Sequence, residues 1–373
     1  MPRPRASGAA DGGSIMNDPS ILSQDGHAQE WPPGCEFLIV DGFLDSFVHV
    51  RVLKTAFELG LIDRLVMHGS GSAVALGQMV GLDGQGLHFL LGLLAEAGVV
   101  EERRGDIRLT GRFRAALRYR DLLETKLDYA GFAIGDFAKL FTSLVRGGGD
   151  FMREARLFEL FDYQRCFTPT IENYARTRLW MRVTSTLTRY EASACLAVHD
   201  IGQYRRMLDV GGNSGELALQ FCQRNTELQG SIFDLPLVCE LGLDHVLPHA
   251  EHRRICFVKG DIRSDAVPGG HDLITFKSML HDWPAEDACG FIDKAARALE
   301  PGGTLLIFER AKLRASAKAT AMSMVPNLLF FRSYRDPSVY TDRLRALGFL
   351  DIKRTDIELD STFFVVTARK PGI

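Results

Sequence analysis

The 373-residue sequence predicts an α/β fold, with a doubly wound and mostly parallel sheet in the C-terminal half and an all-α region before it. Three observations predict this class. From Phe37 to about Asp200, apolar residues recur at three- and four-residue steps, which is typical of amphipathic helices. From Tyr204 onward, short apolar runs alternate with helical segments, the pattern of strand–helix–strand units. A glycine-rich stretch, "LDVGGNSGE", joins the first apolar run to the first of these helices.

The composition is that of an ordinary globular protein and excludes several functions. The hydrophobic share is 46% and the charged share 24%, and the net charge of −3 creates no field that attracts nucleic acid or anionic lipid. Seven cysteines include no CxxC pair, which disfavours structural zinc. An odd cysteine count without a secretory signal indicates free thiols in a reducing compartment. We therefore expect a cytoplasmic protein with no membrane span and no nucleic-acid partner.

The N-terminal half divides into three predicted segments. Residues 1–30 are rich in Gly, Ser and Asp and predict a disordered tail. Residues 31–125 predict helices followed by a small hairpin around Arg104-Gly105, the outline of a winged helix. Its recognition helix, "GQGLHFLLGLLAEAG", is apolar, which favours a packing role over DNA binding. Residues 126–200 predict linking helices and a substrate wall.

Residues 201–373 predict the sheet. The predicted strands are "RRMLDVGG", "GSIFDLP", "RICFVKGDI", "HDLITFKSML" and "GGTLLIFERA", and "DIKRTDIELDSTFFVVTARK" predicts a closing strand pair. In open α/β sheets, ligands bind beyond the carboxyl ends of the strands. We therefore examined the residues at those ends for a binding site.

The glycine loop predicts a ligand with an ammonium group. Its pattern is D-x-G-G-x-S-G, not the dinucleotide pattern G-x-G-x-x-G. Gly211, Gly212 and Gly215 let the backbone approach a ligand closely. Asp209 suits an ammonium better than a pyrophosphate, and Asp234, at the end of the next strand, can bind both hydroxyls of a ribose. The combination favours S-adenosylmethionine over NAD.

The third strand end extends the same site. Asp261, in "KGDIR", can accept a hydrogen bond from an adenine amino group, and Ile262 can pack on the ring. Taken singly, each such residue is as often a helix cap or a core residue. Their order on successive strand ends favours a site for a nucleoside joined to an amino acid.

These motifs resemble those of the class I S-adenosylmethionine-dependent methyltransferases. More narrowly, the chain resembles the caffeate and hydroxyindole O-methyltransferase family, including its bacterial secondary-metabolism members. From about residue 37 to 370, "LDVGGNSGE", "DLP", "GDI", "HDW" and "LEPGGTLLIFE" stand in the family's order and spacing. The resemblance implies a Rossmann-like methyltransferase sheet, an N-terminal winged-helix-like dimerisation domain, a homodimer and S-adenosyl-L-methionine as the cofactor.

The resemblance also implies roles for single residues. It places the methionine part of the cofactor at "LDVGGNSGE" and the adenine at Asp261 and Ile262. It places the ribose at Asp234 in "DLP", next to Leu235, and Lys277 near the cofactor. It implies that His281 is the general base and that Glu309 lies beside it.

His281 follows the strand "HDLITFKSML", on the cofactor side of the predicted sheet. A lone histidine at a strand end is more often structural, but this position favours catalysis. An imidazole titrates near neutral pH and can take the proton of a phenol. Glu309 can accept the other ring N–H. Asp282 either caps the helix begun by "WPAED" or forms with His281 a metal pair that has no third ligand, so we expect no metal.

One stretch departs from the family. "FFRSYRDPS" (330–338) stands where the family has a Gly-Gly-x-Glu-Arg-Thr-like stretch. Tyr334 replaces a second catalytic carboxylate, so the base would depend on Glu309 alone. Arg332 and Arg335 either meet an acidic acceptor or are solvated. Asn213 replaces the third glycine of the loop, which Asn tolerates because it accepts positive φ.

The acceptor is not specified by the sequence. Candidate wall residues are Trp180, Met181, Met324 and Asn327, although such apolar stripes are more often core. We expect O-methylation of a phenolic or hydroxylated small molecule in secondary metabolism. Two alternatives remain open: C-methylation of a phenol ring or a 2-oxo acid in the same fold, and a non-methylating cofactor-binding or regulatory protein.

Overall fold

The structure, a computed structural model, describes residues 31–147, 151–314 and 321–372. The predicted disordered tail, residues 1–30, lies outside the described residues. In the helical part, the α-helices are α1 (Phe47–Glu58), α2 (Leu61–His68), α3 (Ala73–Val80), α4 (Gly84–Glu96), α5 (Gly111–Ala116), α6 (Arg120–Arg146), α7 (Phe151–Glu154) and α8 (Ile171–Val198).

Local signals in the sequence account for several helix ends. Ser46 begins α1 because its side chain accepts a hydrogen bond from the His49 N–H, and Thr170 begins α8 in the same way. Gly60 has φ of 70° between α1 and α2, a conformation that glycine adopts readily at the end of a helix. These helix ends therefore follow from local residue types, a hydroxyl side chain at the start and a glycine at the end.

A three-stranded antiparallel sheet completes the winged-helix outline. Its strands are β1 (Ser70–Ser72), β2 (Val100–Arg103) and β3 (Asp106–Leu109), in the order β1-β3-β2. Arg104 and Gly105 both take positive φ, as a two-residue hairpin turn requires. The apolar face of α4 is buried at Leu87, Leu90, Leu91 and Leu94. One face of α4 therefore packs inward.

The large sheet has seven strands. They are β4 (Arg206–Val210), β5 (Gln229–Asp234), β6 (Ile255–Lys259), β7 (His271–Lys277), β8 (Leu299–Arg310), β9 (Leu350–Glu358) and β10 (Thr362–Arg369). Their order is β6-β5-β4-β7-β8-β10-β9, with β4 to β8 parallel and β10 antiparallel to both neighbours. The predicted α/β class with a doubly wound sheet is confirmed.

The α-helices of the C-terminal half are α9 (Glu216–Arg224), α10 (Pro236–Val246), α11 (Ala285–Ala298), α12 (Val325–Leu329) and α13 (Ser338–Ala346). All of them except α12 lie against the sheet, and α12 packs against α6 instead. Because both faces are covered, central strands read as nearly continuous apolar runs: Leu208, Ile274 and Ile307 are fully buried. The strand order reverses between β4 and β7, and such a switch point opens a crevice for a ligand.

The strand before His281 is shorter than predicted. The sequence predicted one run through Leu280, but β7 ends at Lys277. Ser278 takes φ of 49°, and residues Leu280–Asp282 form a short 3-10 turn. His281 therefore lies on a turn beyond the strand and not on the strand itself.

Among the residues that the structure describes, no helix is both long and apolar enough to cross a membrane.

Candidate active site

A cavity lies at the carboxyl ends of the parallel strands and extends under α8. Its empty volume, which includes space open to solvent, is about 1330 Å³. Among the predicted site residues, its wall contains Trp180, Asp209, Gly211, Gly212, Asp234, Leu235, Asp261, Ile262, Lys277, His281 and Asn327. The structure thus brings most of the predicted site together.

Two predicted residues support the wall from behind. Gly215 has φ of 77° at the start of α9, where an added Cβ would lie 3.1 Å from Phe257. It therefore shapes the turn and its packing. Glu309 is 1% exposed and lies behind the turn that carries His281.

The proposed acceptor residues are only partly in the wall. Met181 is buried in a cluster with Cys166 and Leu237 and does not line the cavity. Met324 also lies outside the wall, and its Sδ accepts a hydrogen bond from Asn327. Trp180 does line the cavity, and within the described ranges its buried indole N–H has no hydrogen-bond partner.

The glycine loop has a backbone shape that side chains would obstruct. Gly211 has φ of 65°, and an added Cβ there would lie 2.6 Å from Met279. At Gly212 the same atom would lie 2.7 Å from the carboxylate of Asp209. Asn213 takes φ of 53°, as expected for an asparagine in this position. Glycine at positions 211 and 212 is therefore required by the packing of the loop against Met279 and Asp209.

Asp209 is a buried carboxylate facing this loop. It is 1% exposed, and Oδ1 accepts a hydrogen bond from Thr275 Oγ1 at 2.6 Å. Burial raises its pKa to about 7, although the bond from Thr275 lowers it. A cationic group in the cavity would favour the ionised form, so the residue fits an ammonium ligand.

Asp234 is held in a fixed orientation by two backbone N–H groups. Leu235 N–H donates to Oδ1 at 2.7 Å and Asn213 N–H donates to Oδ2 at 2.8 Å. Burial raises its pKa to about 6, despite both bonds. Each oxygen keeps a further lone pair, so the carboxylate can accept two hydroxyl groups.

Asp261 has a partner that the sequence reasoning missed. Arg263 donates from Nε at 2.9 Å and approaches Oδ2 with Nη2 at 2.7 Å. Burial would raise the pKa of Asp261, but Arg263 more than offsets it and holds the pKa below its usual value. The Arg263 guanidinium also lies over the Trp283 ring at 5.4 Å. The i, i+2 spacing in "KGDIR" was the signal for this pair.

His281 is fixed by Glu309. The imidazole Nδ1 lies 2.6 Å from Glu309 Oε2. The other oxygen, Oε1, accepts the N–H groups of Met279 and Leu280, each at 2.8 Å. Glu309 therefore orients both the ring and the turn that carries it. With Nδ1–H donating to Glu309, Nε2 is the nitrogen that can accept a proton.

The charges around His281 favour its protonated form. Burial alone would lower its pKa, but the negative charges of Glu309 and Asp282 more than offset this and raise it. Nε2 lies 3.4 Å from Asp282 Oδ1. The imidazole therefore binds a proton more readily than a free histidine does.

One interpretation of the sequence was that Asp282 caps the next helix, and this interpretation is wrong. The residue at the start of α11 is Pro284, with no side-chain cap. Asp282 Oδ2 instead accepts a hydrogen bond from the Tyr163 hydroxyl at 2.6 Å. Tyr163 also lines the cavity. No local signal could reveal this partner, because 119 residues separate the two.

The segment that departs from the family places an aromatic ring beside the histidine. The Tyr334 ring centroid lies 5.1 Å from that of His281, and its hydroxyl lies 3.4 Å from Asn327 Oδ1. Burial raises the pKa of Tyr334 well above its usual value. Position 334 therefore contributes a neutral phenol where relatives were expected to have a carboxylate.

Neither arginine of this segment faces an acceptor or is merely solvated. Arg332 donates to the backbone carbonyls of Leu144 and Val145. Arg335 donates to the carbonyls of Leu280 and Trp283. Arg332 therefore joins this segment to the end of α6, and Arg335 joins it to the turn that carries His281. No group of three His, Cys, Asp or Glu side chains that could hold a metal ion occurs within residues 31–147, 151–314 and 321–372.

Comparison with known proteins identifies the family. Residues 148–349, just over half of the chain, match the family model described as an O-methyltransferase domain. The chain belongs to this family. This O-methyltransferase is an enzyme that uses S-adenosylmethionine, as the sequence predicted.

Relatives of this O-methyltransferase include two Streptomyces enzymes. The 3-hydroxy-5-methyl-1-naphthoate 3-O-methyltransferase of Streptomyces sahachiroi is 28% identical over 310 residues, which are 81% of this chain and 86% of the relative. The mitomycin biosynthesis 6-O-methyltransferase of Streptomyces lavendulae is 25% identical over 274 residues, 72% of this chain and 76% of the relative.

A solved structure shows the same fold. The structure of human N-acetylserotonin methyltransferase in complex with S-adenosylmethionine has a TM-score of 0.69 at 22% identity. The superposition covers 86% of this chain and 94% of the human chain. At this identity the comparison shows the architecture and not the acceptor.

Proposed function

We propose that this O-methyltransferase methylates a phenolic hydroxyl of an aromatic small molecule in secondary metabolism, with His281 as the general base. The observation that carries the proposal is the contact of 2.6 Å between His281 Nδ1 and Glu309 at the wall of the cavity. The Streptomyces sahachiroi relative is named for a hydroxynaphthoate and the Streptomyces lavendulae relative for mitomycin biosynthesis. The first name supports a hydroxylated aromatic acceptor, and the second supports a role in biosynthesis.

The carboxylates of the cavity fit S-adenosylmethionine. Asp209 would hold the ammonium group, Asp234 the ribose hydroxyls and Asp261 the adenine amino group, beside Ile262. Burial raises the pKa of Asp209 to about 7, so a cationic ligand would stabilise its ionised form, which supports the first assignment. When bound, S-adenosylmethionine supplies a methyl group that is already activated by a positively charged sulfur.

The remaining chemistry is removal of one proton. A phenol has a pKa of about 10 and is mostly protonated at neutral pH. Glu309 accepts the Nδ1–H of His281, which leaves Nε2 free to take the proton of the acceptor hydroxyl. Glu309 and Asp282 then stabilise the imidazolium that results. The proton rests on Nε2 until solvent removes it.

Aromatic side chains would orient the acceptor. The wall near His281 contains Phe161, Tyr163, Trp180, Trp283, Phe330 and Tyr334. Tyr163 stacks on Trp283, with ring centroids 5.9 Å apart. Flat rings in the wall favour a planar acceptor, because stacked and edge-on aromatic contacts both stabilise one.

The O-methyltransferase family favours transfer to oxygen, although the same base could expose a ring carbon to methylation. The experiment is incubation with S-adenosylmethionine carrying a ¹³C methyl group and 3-hydroxy-1-naphthoic acid as the probe acceptor. An extract of the producing cell is the second sample. A labelled methoxy signal in carbon NMR is the expected result, and a labelled C-methyl signal would overturn O-transfer.

We also propose the assembly and organisation of the enzyme. Residues 31–125 would form the dimerisation domain, residues 126–200 the linking helices and residues 201–373 the cofactor-binding domain. Exposed apolar side chains in the first segment support a homodimer: Phe47, Val48, Val66, Met67, Val74, Met79 and Phe89. A cytoplasmic location is supported by the seven cysteines, all of them unpaired.

A further inference from the structure

The turn that carries His281 is held by two side chains of opposite charge. We call residues 279–283 the histidine turn. On one side, Glu309 Oε1 accepts the N–H groups of Met279 and Leu280, both at 2.8 Å. On the other side, Arg335 Nη1 donates to the carbonyl of Leu280 at 2.8 Å, and Nη2 donates to the carbonyl of Trp283.

The turn has few strong hydrogen bonds of its own. Asp282 N–H lies 3.2 Å from the Met279 carbonyl, and Trp283 N–H lies 3.4 Å from the Leu280 carbonyl. Both distances are at or beyond the long end of the usual range for N–H···O bonds. Ser278, just before the turn, takes φ of 49°, so the chain leaves the regular strand there. Contacts from outside must therefore fix the position of His281.

Arg335 is well placed to provide such contacts because its own backbone is fixed. Its carbonyl accepts the Lys312 N–H at 3.1 Å, and the residue forms a bridge with Ala311. Ala311 directly follows β8, the strand that carries Glu309. The backbone of Arg335 is thus paired next to the end of the strand that carries Glu309, and the two side chains hold the turn from neighbouring positions.

We propose that Arg335 is a positioning residue for catalysis, which holds the backbone carbonyls on both sides of His281 and so keeps the imidazole against Glu309. The inference rests on the proposed function, because it assumes that His281 is the base. Hydrogen bonds from a guanidinium are stronger than neutral ones. Loss of both frees the turn on one side, and small displacements of a catalytic group cost large factors in rate.

The chain offers a matched control three residues away. Arg332 also donates to two successive backbone carbonyls, those of Leu144 and Val145. Those carbonyls lie at the end of α6 and not on the histidine turn. Arg332→Ala and Arg335→Ala therefore remove the same kind of contact, and only the second should affect His281.

The experiment compares Arg335→Ala, Arg335→Lys and Arg332→Ala by NMR titration of histidine-labelled protein. The His281 signal is identified by its loss in His281→Ala. In Arg335→Ala we expect the pKa of His281 to fall toward its usual value, since contact with Glu309 raises it. Turnover of 3-hydroxy-1-naphthoic acid should fall about 10–100-fold. Calorimetry should show affinity for S-adenosylhomocysteine within about twofold of the wild type.

Guanidinium chloride, at a concentration far below that which denatures the protein, should restore part of the turnover that Arg335→Ala loses. The same addition should not increase the turnover of Arg332→Ala. Arg335→Lys keeps the charge but reaches one carbonyl, and we expect an intermediate titration. An Arg335→Ala or Arg335→Lys protein whose His281 titrates as in the wild type and in Arg332→Ala would overturn the proposal. If His281→Ala keeps its turnover while the titration of Arg335→Ala shifts, the base assignment fails, and what stands is that Arg335 keeps the imidazole against Glu309.

Discussion

Each buried carboxylate in the cavity of this O-methyltransferase acquires its properties from its immediate neighbours. Asp234 is held by two backbone N–H groups, and Asp209 has Thr275 as its side-chain donor. Asp209 could be identified from the sequence because it stands beside the glycines that it faces. Tyr163, the partner of Asp282, could not, because such a contact depends on the folded path of the chain.

The binding of S-adenosylhomocysteine, which carries the same ammonium group, should depend on pH through Asp209. Its pKa is raised to about 7 by burial, so below that pH the side chain is largely protonated. An ammonium ligand needs the ionised form. Binding should therefore release a proton, and affinity should weaken as pH falls below 7, by at most about tenfold per pH unit. Calorimetry in buffers of different ionisation enthalpy measures the released protons.

Asp209→Asn is the control for this linkage. It should bind S-adenosylhomocysteine more weakly and lose most of the proton release near pH 7. A raised pKa means that the folded state binds protons more tightly than the unfolded state, so the Asp209 charge lowers stability as pH rises toward 7. Without ligand, Asp209→Asn should thus unfold at a higher temperature at pH 8. Unchanged proton release in Asp209→Asn would contradict the ammonium assignment.

At the scale of elements, a row of alternating charges joins the helical part to the sheet. Lys277 contacts Glu191 at 2.5 Å, Glu191 accepts from Arg310 at 3.0 Å, and Arg310 donates to Asp360 at 2.6 Å. Lys126, on α6, then approaches Asp360 at 3.6 Å. Four separate elements and a loop supply these residues. The sequence shows the charges but not their pairing, since every partner is distant along the chain.

Asp360→Asn should destabilise the protein. Burial would raise the pKa of Asp360, but Arg310 and Lys126 more than offset it and hold the pKa far below its usual value. Without this negative charge, the buried cations Arg310 and Lys126 each lose one of their counter-charges. Breaking such buried pairs costs about 3–5 kcal/mol of unfolding free energy. Urea unfolding measures the loss.

The matched control is Asp356→Asn, which removes an exposed ion pair with Arg354 on β9. Exposed pairs contribute about 0–1 kcal/mol. Equal unfolding free energies for the two variants would contradict a stabilising role of the buried row.

The stability that Asp360 provides should also depend on pH. Because its pKa in the folded protein is depressed, this stability is present at neutral pH and is lost progressively as pH falls below the usual value of 3.8.

At the scale of the whole molecule, the strands of the sheet were more predictable than the way the two halves meet. Strand–helix alternation and the motifs at strand ends predicted five parallel strands and the closing pair. The end of β7 was wrong by three residues because a positive φ at Ser278 leaves no trace in hydrophobicity. The long helix α6 was not singled out, although it supplies Tyr129 to the cavity.

The homodimer is a prediction at this scale. Sedimentation at micromolar concentration should give twice the 41.4 kDa of one chain. Phe89, 69% exposed on α4, is a candidate contact, and Phe89→Asp should shift the protein toward the monomer, since a charge in an apolar interface is costly. Leu247→Asp is the control, because Leu247 is 49% exposed after α10. A wild-type monomer at that concentration would contradict the prediction.

In the proposed reaction His281 removes the proton of the acceptor, and single-turnover transfer to 3-hydroxy-1-naphthoic acid in His281→Ala measures this contribution. The rate should fall about 10²–10⁴-fold, the usual contribution of a general base, while calorimetry shows unchanged affinity for S-adenosylhomocysteine. In the wild type, the rate should rise with pH through a pKa above the usual 6.5 and then level off, because Glu309 and Asp282 raise the pKa of His281 and only the neutral imidazole accepts a proton. A folded His281→Ala protein with near-native single-turnover rates would show that His281 is not the base.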